Sequence, residues 1–185
     1  MKNIILWTST LFLFACASTP LPQAPSIQYY LSSSQPACEG LKDCQSRCDQ
    51  EQQGRACLEW ALYALSATTN SGDVDQALSQ ESTNQPFVYA AGLLKTACQN
   101  QDALSCLDLG NLHLQGLGVP LDQASALKYL DIACTDGVAD SCTRLGMLYQ
   151  EGVAVAPDAE RATKLFKTGC TAGHEAACSL LKELN

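Results

Sequence analysis

Six cysteines in the second half of the chain stand at 98, 106, 134, 142, 170 and 178, so the spacing alternates 8, 28, 8, 28, 8. Each recurs after 36 residues, and its neighbours recur with it. Leu109-Gly110 matches Leu145-Gly146, Gly116 matches Gly152, Asp122 matches Asp158, Ala126 matches Ala162, and Gly137 matches Gly173. A fixed period in this range is the mark of a repeat array, in which each unit buries its apolar face only against its neighbours.

Each unit reads as two helices. Ala103 to Gln115 carries Leu104, Leu107, Leu109, Leu112 and Leu114 at helical spacing, and Gly116 is a stop signal. The loop after it ends in Asp122, an N-cap residue type, and opens a second helix over Gln123 to Cys134. The next unit repeats this, with helices at Ala139 to Glu151 and from Asp158 to Cys170.

The eight-residue cysteine step has geometric content. In one continuous helix it would separate the two Cα atoms by about 12 Å, whereas a disulfide needs about 4.4–6.8 Å. Bonded pairs Cys98–Cys106, Cys134–Cys142 and Cys170–Cys178 therefore require the chain to reverse between them. Gly137 and Gly173 suit such a reversal, and the first pair has Gln99-Asn100-Gln101-Asp102 there instead. Recurrence of Gly110 and Gly146 inside a helix, where glycine costs about 1 kcal/mol relative to alanine, points to close helix approach. The pattern decays upstream. Cys48 and Cys57 are nine apart, Cys57 to Tyr63 resembles the start of a first helix, and Val88 to Cys98 a second. The polar stretch around Ser66 to Gln85 is expected to be a long loop. Cys48–Cys57 and Cys38–Cys44 complete the pairing, although four cysteines allow three connectivities.

The amino terminus names a compartment. Lys2 precedes an apolar run, Ile4 to Ala15, too short to span a bilayer and suited to a signal peptide. Leu13-Phe14-Ala15-Cys16 resembles a bacterial lipobox, which would make Cys16 the lipidated first residue; the alternative is ordinary cleavage after Ala15-Cys16-Ala17. Ala17, with no Asp at that position, implies the outer membrane. The expected division is 1–15 signal peptide, 16–36 tether containing four of the seven prolines, 37–98 degenerate helical repeats, and 99–185 regular repeats. Eleven cysteines fit an oxidising compartment. Nineteen acidic against eleven basic residues exclude a phosphate-backbone footprint, so no nucleic acid is expected. Eight-residue cysteine spacing without nearby histidines is not a zinc-ligand pattern, so no metal and no cofactor are expected.

The units beginning Leu109-Gly110-Asn111 and Leu145-Gly146-Met147 resemble Sel1-like repeats, and the added cysteines resemble the Helicobacter cysteine-rich protein group. His113 stands where Tyr149 is usual, and Ala154 replaces Gly118. The resemblance implies an all-α, α/α solenoid related to tetratricopeptide arrays, stapled by disulfides, with a concave face used for protein–protein scaffolding. It also brings the alternative of peptidoglycan or β-lactam binding with weak β-lactamase activity. Ser125-Ala126-Leu127-Lys128 and Lys167-Thr168-Gly169 match two elements of serine β-lactamases, but Ser-Asp-Asn is missing and the second element ends a helix. No catalytic residue is assigned. His113 is expected to pack and His174 to be solvated. In solenoids the varying positions recognise, so Leu107, Asn111 and Leu114 with Thr143, Met147 and Gln150 are the expected partner-binding face for an unidentified protein, flanked by Asp108 and Glu59.

Overall fold

A computed structural model describes residues 41–51, 53–68 and 81–184. The expected signal peptide, Cys16, the tether and Cys38 lie outside the described residues. Among those described there are eight helices and no strand: α1 (Leu41–Glu51), α2 (Gly54–Thr68), α3 (Glu81–Gln99), α4 (Ala103–Gln115), α5 (Gln123–Thr135), α6 (Ala139–Glu151), α7 (Ala159–Thr171) and α8 (Glu175–Glu183). Each packs against the next along the chain, which makes an antiparallel helical stack, an α/α solenoid.

The helix ends follow from single residues. The Asp122 carboxylate accepts from the amides of Ala124 and Ser125, and that of Asp158 from Arg161 N. Both satisfy amides that have no partner inside the helix. Gly116 and Gly152 close α4 and α6 in the left-handed conformation, each amide returning to the carbonyl four residues earlier, Leu112 and Leu148.

Disulfides join Cys48 to Cys57, Cys98 to Cys106, Cys134 to Cys142 and Cys170 to Cys178, with Cα separations of 4.5 to 4.8 Å. Each ties a helix to the next at a tight hairpin, so each bridge joins adjacent repeats. Cys44 is also disulfide-bonded. The reversal turns on a left-handed residue, Gly137 at φ 92° and Gly173 at φ 90°; at the equivalent place in the first hairpin Gln101 adopts φ 68°.

The long loop needs correction. Residues 66–68 belong to α2, and α3 begins at Glu81, so its first residues are helical rather than loop. Pro86 sits inside α3, beyond its first turn, where its missing N–H leaves one backbone hydrogen bond unmade. Packing supports the extra turns. Phe87 is fully buried, and Asn84 Oδ1 accepts the amide of Gly118 at 3.2 Å. A Cβ on Gly118 would lie 2.2 Å from the Phe87 carbonyl carbon, so only glycine lets this loop seat on α3.

Two apolar clusters run along the stack. One joins Leu58, Leu62, Phe87 and Leu94 to Leu109 and Leu112 of the following unit. The other joins Leu107, Leu130 and Ala133 to Leu145 and Leu148 of the unit after that. The core is therefore made between units as much as within them.

Candidate partner-binding face

The first helix of each unit (α2, α4, α6) presents one side to its own second helix. Gly110 and Gly146 mark that side, because a Cβ there would meet Leu130 at 3.0 Å and Phe166 at 2.7 Å. The opposite side carries Arg55 and Glu59 on α2, Leu104 and Asp108 on α4, and Asp140 and Arg144 on α6. These occupy two repeat positions, two residues before and two after the cysteine that opens the helix. First helices also pack on one another, α2 on α4 and α6 on α8. Second helices α5 and α7 part to leave a groove of about 660 Å³ lined by Asp131, Thr135, Glu160, Arg161, Lys164 and Thr168. The stack thus bends with first helices inside and second helices outside.

Charges on the inner face are held in place. Arg55 Nε donates to Asp108 Oδ2 at 3.0 Å, across two units, with the side chains 19% and 13% exposed. Arg144 Nε donates to Asp140 Oδ2 at 3.0 Å within α6, and both are buried. Burial pushes the Asp108 carboxyl up to about 6, against the opposing pull of the Arg55 guanidinium, while the charges of Asp102 and Glu59 add to the rise. Leu104 is an exposed apolar side chain among these groups, at 36%.

The six residues expected to form the face lie elsewhere. Leu107, Asn111 and Thr143 are buried, Leu114 and Met147 are half-buried, and only Gln150 is exposed. Leu107 and Leu114 pack in the cluster shared with α6, and Thr143 contacts the α7–α8 hairpin, so this side of the first helix is the joint with the next unit. Variation there reflects changing inter-unit packing rather than display. The flanking pair Glu59 and Asp108 is on the inner face. A signal for that face was present in the sequence: Glu59, Asp108 and Arg144 are all charged and stand at the same repeat position.

His174 is also not simply solvated. The Thr143 hydroxyl donates to the Ala139 carbonyl at 3.0 Å and lies 2.7 Å from His174 Nδ1, so it can accept from that nitrogen. Nε2 stands 3.7 Å from Asp140 Oδ1. His174 therefore links the last hairpin to α6. His113 stacks on Tyr129 with ring centroids 5.6 Å apart and packs as expected. Ser125 Oγ donates to Asp122 Oδ2 at 2.6 Å, which makes it part of a helix cap, Lys128 lies over the Tyr129 ring at 6.0 Å, and Lys167, Thr168 and Gly169 lie within α7. Among the described residues, no group of three or more His, Cys, Asp or Glu side chains is placed to hold a metal ion.

Residues 103–138 and 139–174 each match the model of the Sel1 repeat. Residues 103–174 are two Sel1 repeats. The boundaries of these Sel1 units coincide with α4–α5 and α6–α7 together with their hairpins. The fold is similar to that of cysteine rich protein B of Helicobacter pylori, at 26% identity and TM-score 0.54, over 77% of this chain and 98% of that one. It is similar to a Sel1 repeat protein from Oxalobacter formigenes, at 20% identity and TM-score 0.55, over 77% of this chain and 53% of that one. A protective antigen of uropathogenic Escherichia coli strains has the same fold at 17% identity and TM-score 0.52, over 78% of this chain and 36% of its own. The chain thus spans about half the length of the Oxalobacter protein, about a third of the Escherichia one, and nearly all of the Helicobacter one. No curated protein sequence matches.

Proposed function

We propose that this Sel1-repeat solenoid is an extracytoplasmic scaffold that holds a segment of a partner protein along its inner face. The observation that carries the reading is an exposed leucine, Leu104, beside the partly buried Arg55–Asp108 pair. Arg55–Asp108 and Asp140–Arg144 are fixed before any partner arrives, so little side-chain ordering remains to oppose association. Leu104 supplies apolar contact area. Glu59, Asp102, Asp108 and Asp140 outnumber Arg55 and Arg144, and the chain carries a net charge of −8, so a basic or neutral segment suits the face. Ser125 is spent on a helix cap, and no observation favours the β-lactam reading.

The test is a crosslinked pull-down from native envelope with the oxidised protein. A partner should be retained by wild type, lost with Leu104→Arg, and kept with Leu121→Arg, which changes an equally apolar residue in an outer loop. Equal retention by all three would refute the inner face as the binding surface.

The compartment is part of the proposal. Five pairs of cysteines in the mature chain suit an oxidising space, and no described helix is long and apolar enough to cross a membrane. Attachment through a lipidated Cys16, with residues 17–36 as tether, would place the solenoid on the outer membrane facing the periplasm; cleavage without lipid would release it. Palmitate labelling lost in Cys16→Ser establishes the anchor, and unchanged labelling in that variant rejects it.

A further inference from the structure

The groove between α5 and α7 belongs to the second regular unit, and single residues account for it. In the first regular unit Tyr129 packs against both apolar clusters, and His113 stacks on its ring. One repeat later Leu165 stands at the Tyr129 position and Thr168 at that of Ile132. Both line the groove of about 660 Å³, so it opens where the side chains have become smaller. Tyr149 takes the place of His113 in turn. With no ring at residue 165 to stack on, it carries Arg161 on its face instead, the guanidinium carbon 4.2 Å from the ring centroid. Ser125, the counterpart of Arg161, is spent on the cap of α5.

The charges around this groove are unmatched. Arg161 and Lys164 stand one turn apart on α7, Asp131 lines the α5 side, and Glu160 lies in the first turn of α7. Among the described residues none of these four makes an ion pair, unlike the charges of the inner face. Stacking on Tyr149 holds the Arg161 guanidinium in place, so little ordering remains before its N–H groups meet an acceptor. The Thr135 and Thr168 hydroxyls donate to the carbonyls of Asp131 and Lys164, at 2.8 and 3.0 Å, which leaves both oxygens as acceptors. A simple anion would meet the carboxylates, and a simple cation would meet the two basic groups. A ligand carrying both signs satisfies all of them. The volume suits a molecule of a few residues. Leu165 is the one aliphatic side chain in the lining, so an acyl chain would find no cover there.

We propose that the α5–α7 groove is a second binding site, for a short peptide with a free carboxyl terminus and a basic residue. Its carboxylate pairs with Arg161 and Lys164, and its ammonium group with Asp131 and the Thr135 hydroxyl. The site lies on the outer side of the stack and does not rest on the inner-face reading.

The test titrates the tripeptide Lys-Ala-Ala, with free ends, into the isotope-labelled oxidised protein and follows backbone amide shifts by NMR. The shifts should move within α5 and α7 and saturate in the millimolar range, ordinary for a ligand this small. Amidation of the peptide's carboxyl end should weaken binding about tenfold or more, and so should Arg161→Gln/Lys164→Gln. Lys128→Gln alters the repeat position of Lys164 in the preceding, filled joint and should have no effect. Leu165→Tyr restores the ring of that joint and should abolish binding. Far-UV circular dichroism separates loss of the site from loss of the fold, and the exposed glutamine substitutions decide the matter if the tyrosine variant does not fold. Equal binding of the amidated peptide, or equal binding by the double glutamine variant, overturns the proposal. So do shifts confined to other helices, or no saturation up to about 10 mM.

Discussion

Asp108 shows how one residue on the inner face sets a condition on the whole. Its carboxyl titrates near 6 in the folded chain against 3.8 ordinarily, chiefly because it is buried. The folded state therefore holds this proton more tightly than the unfolded state does. As pH rises from about 4 to about 6 the unfolded chain gives up the proton first, and stability falls across that window. Above it the contribution is flat. In urea unfolding of wild type and Asp108→Asn, wild type should gain on the variant between pH 7 and pH 4 by on the order of 2–3 kcal/mol. Comparing the two cancels the other carboxylates, and a difference independent of pH would refute the assignment. Two further positions show where local rules are overridden. Gln101 and Ala154 adopt φ 68° and 60° where the other units use glycine, each a cost accepted to keep the hairpin or loop in register. Ser105 Oγ bonds the Asp102 carboxylate, but Val138 stands at the Asp102 position of the next unit, and the equivalent Ser141 Oγ is buried without a partner.

The two helix pairs that form the regular repeats differ in what their glycines face. Replacing glycine by alanine inside a helix is favourable by about 1 kcal/mol if space allows. At Gly110 the new methyl would meet the Leu130 side chain at 3.0 Å, and a leucine tip can shift. At Gly146 it would meet two ring atoms of Phe166 at 2.7 and 2.8 Å, and Phe166 is fully buried. Gly110→Ala should therefore leave stability within about 0.5 kcal/mol of wild type, while Gly146→Ala should lower it by about 1–3 kcal/mol, the usual range for overpacking. Denaturation midpoints decide the matter, and equal effects at both sites would contradict this account of α6 and α7. Ala61 occupies the same position of α2 and is fully buried, so a methyl is compatible with this joint when the second helix allows it.

For the molecule as a whole, the regular repeats were legible because their signals are local. Cysteine spacing, an aspartate before each second helix and a glycine after each first one set the helix bounds to within a residue from Ala103 to Thr171. The start of α3 was not legible. Its first turns are polar and hold Pro86, and what stabilises them is contact with the Gly118 loop, 31 residues on from Phe87. The inner face was half legible. Glu59 and Asp108 stand out by their charge, but variation between units does not by itself mark display: Leu107, Asn111 and Thr143 are buried at the joints between units. The pair Arg55–Asp108 is a tertiary fact that no spacing announces.

The four described bridges have a consequence for a protein exposed to proteases. Each encloses only a hairpin: seven residues lie between Cys98 and Cys106, and the others are similar. These turns are the exposed bends of the stack, where an enzyme would first cut. A nick inside any of these rings leaves both fragments covalently joined and the helices on either side still packed, so the solenoid can be clipped at its corners without coming apart.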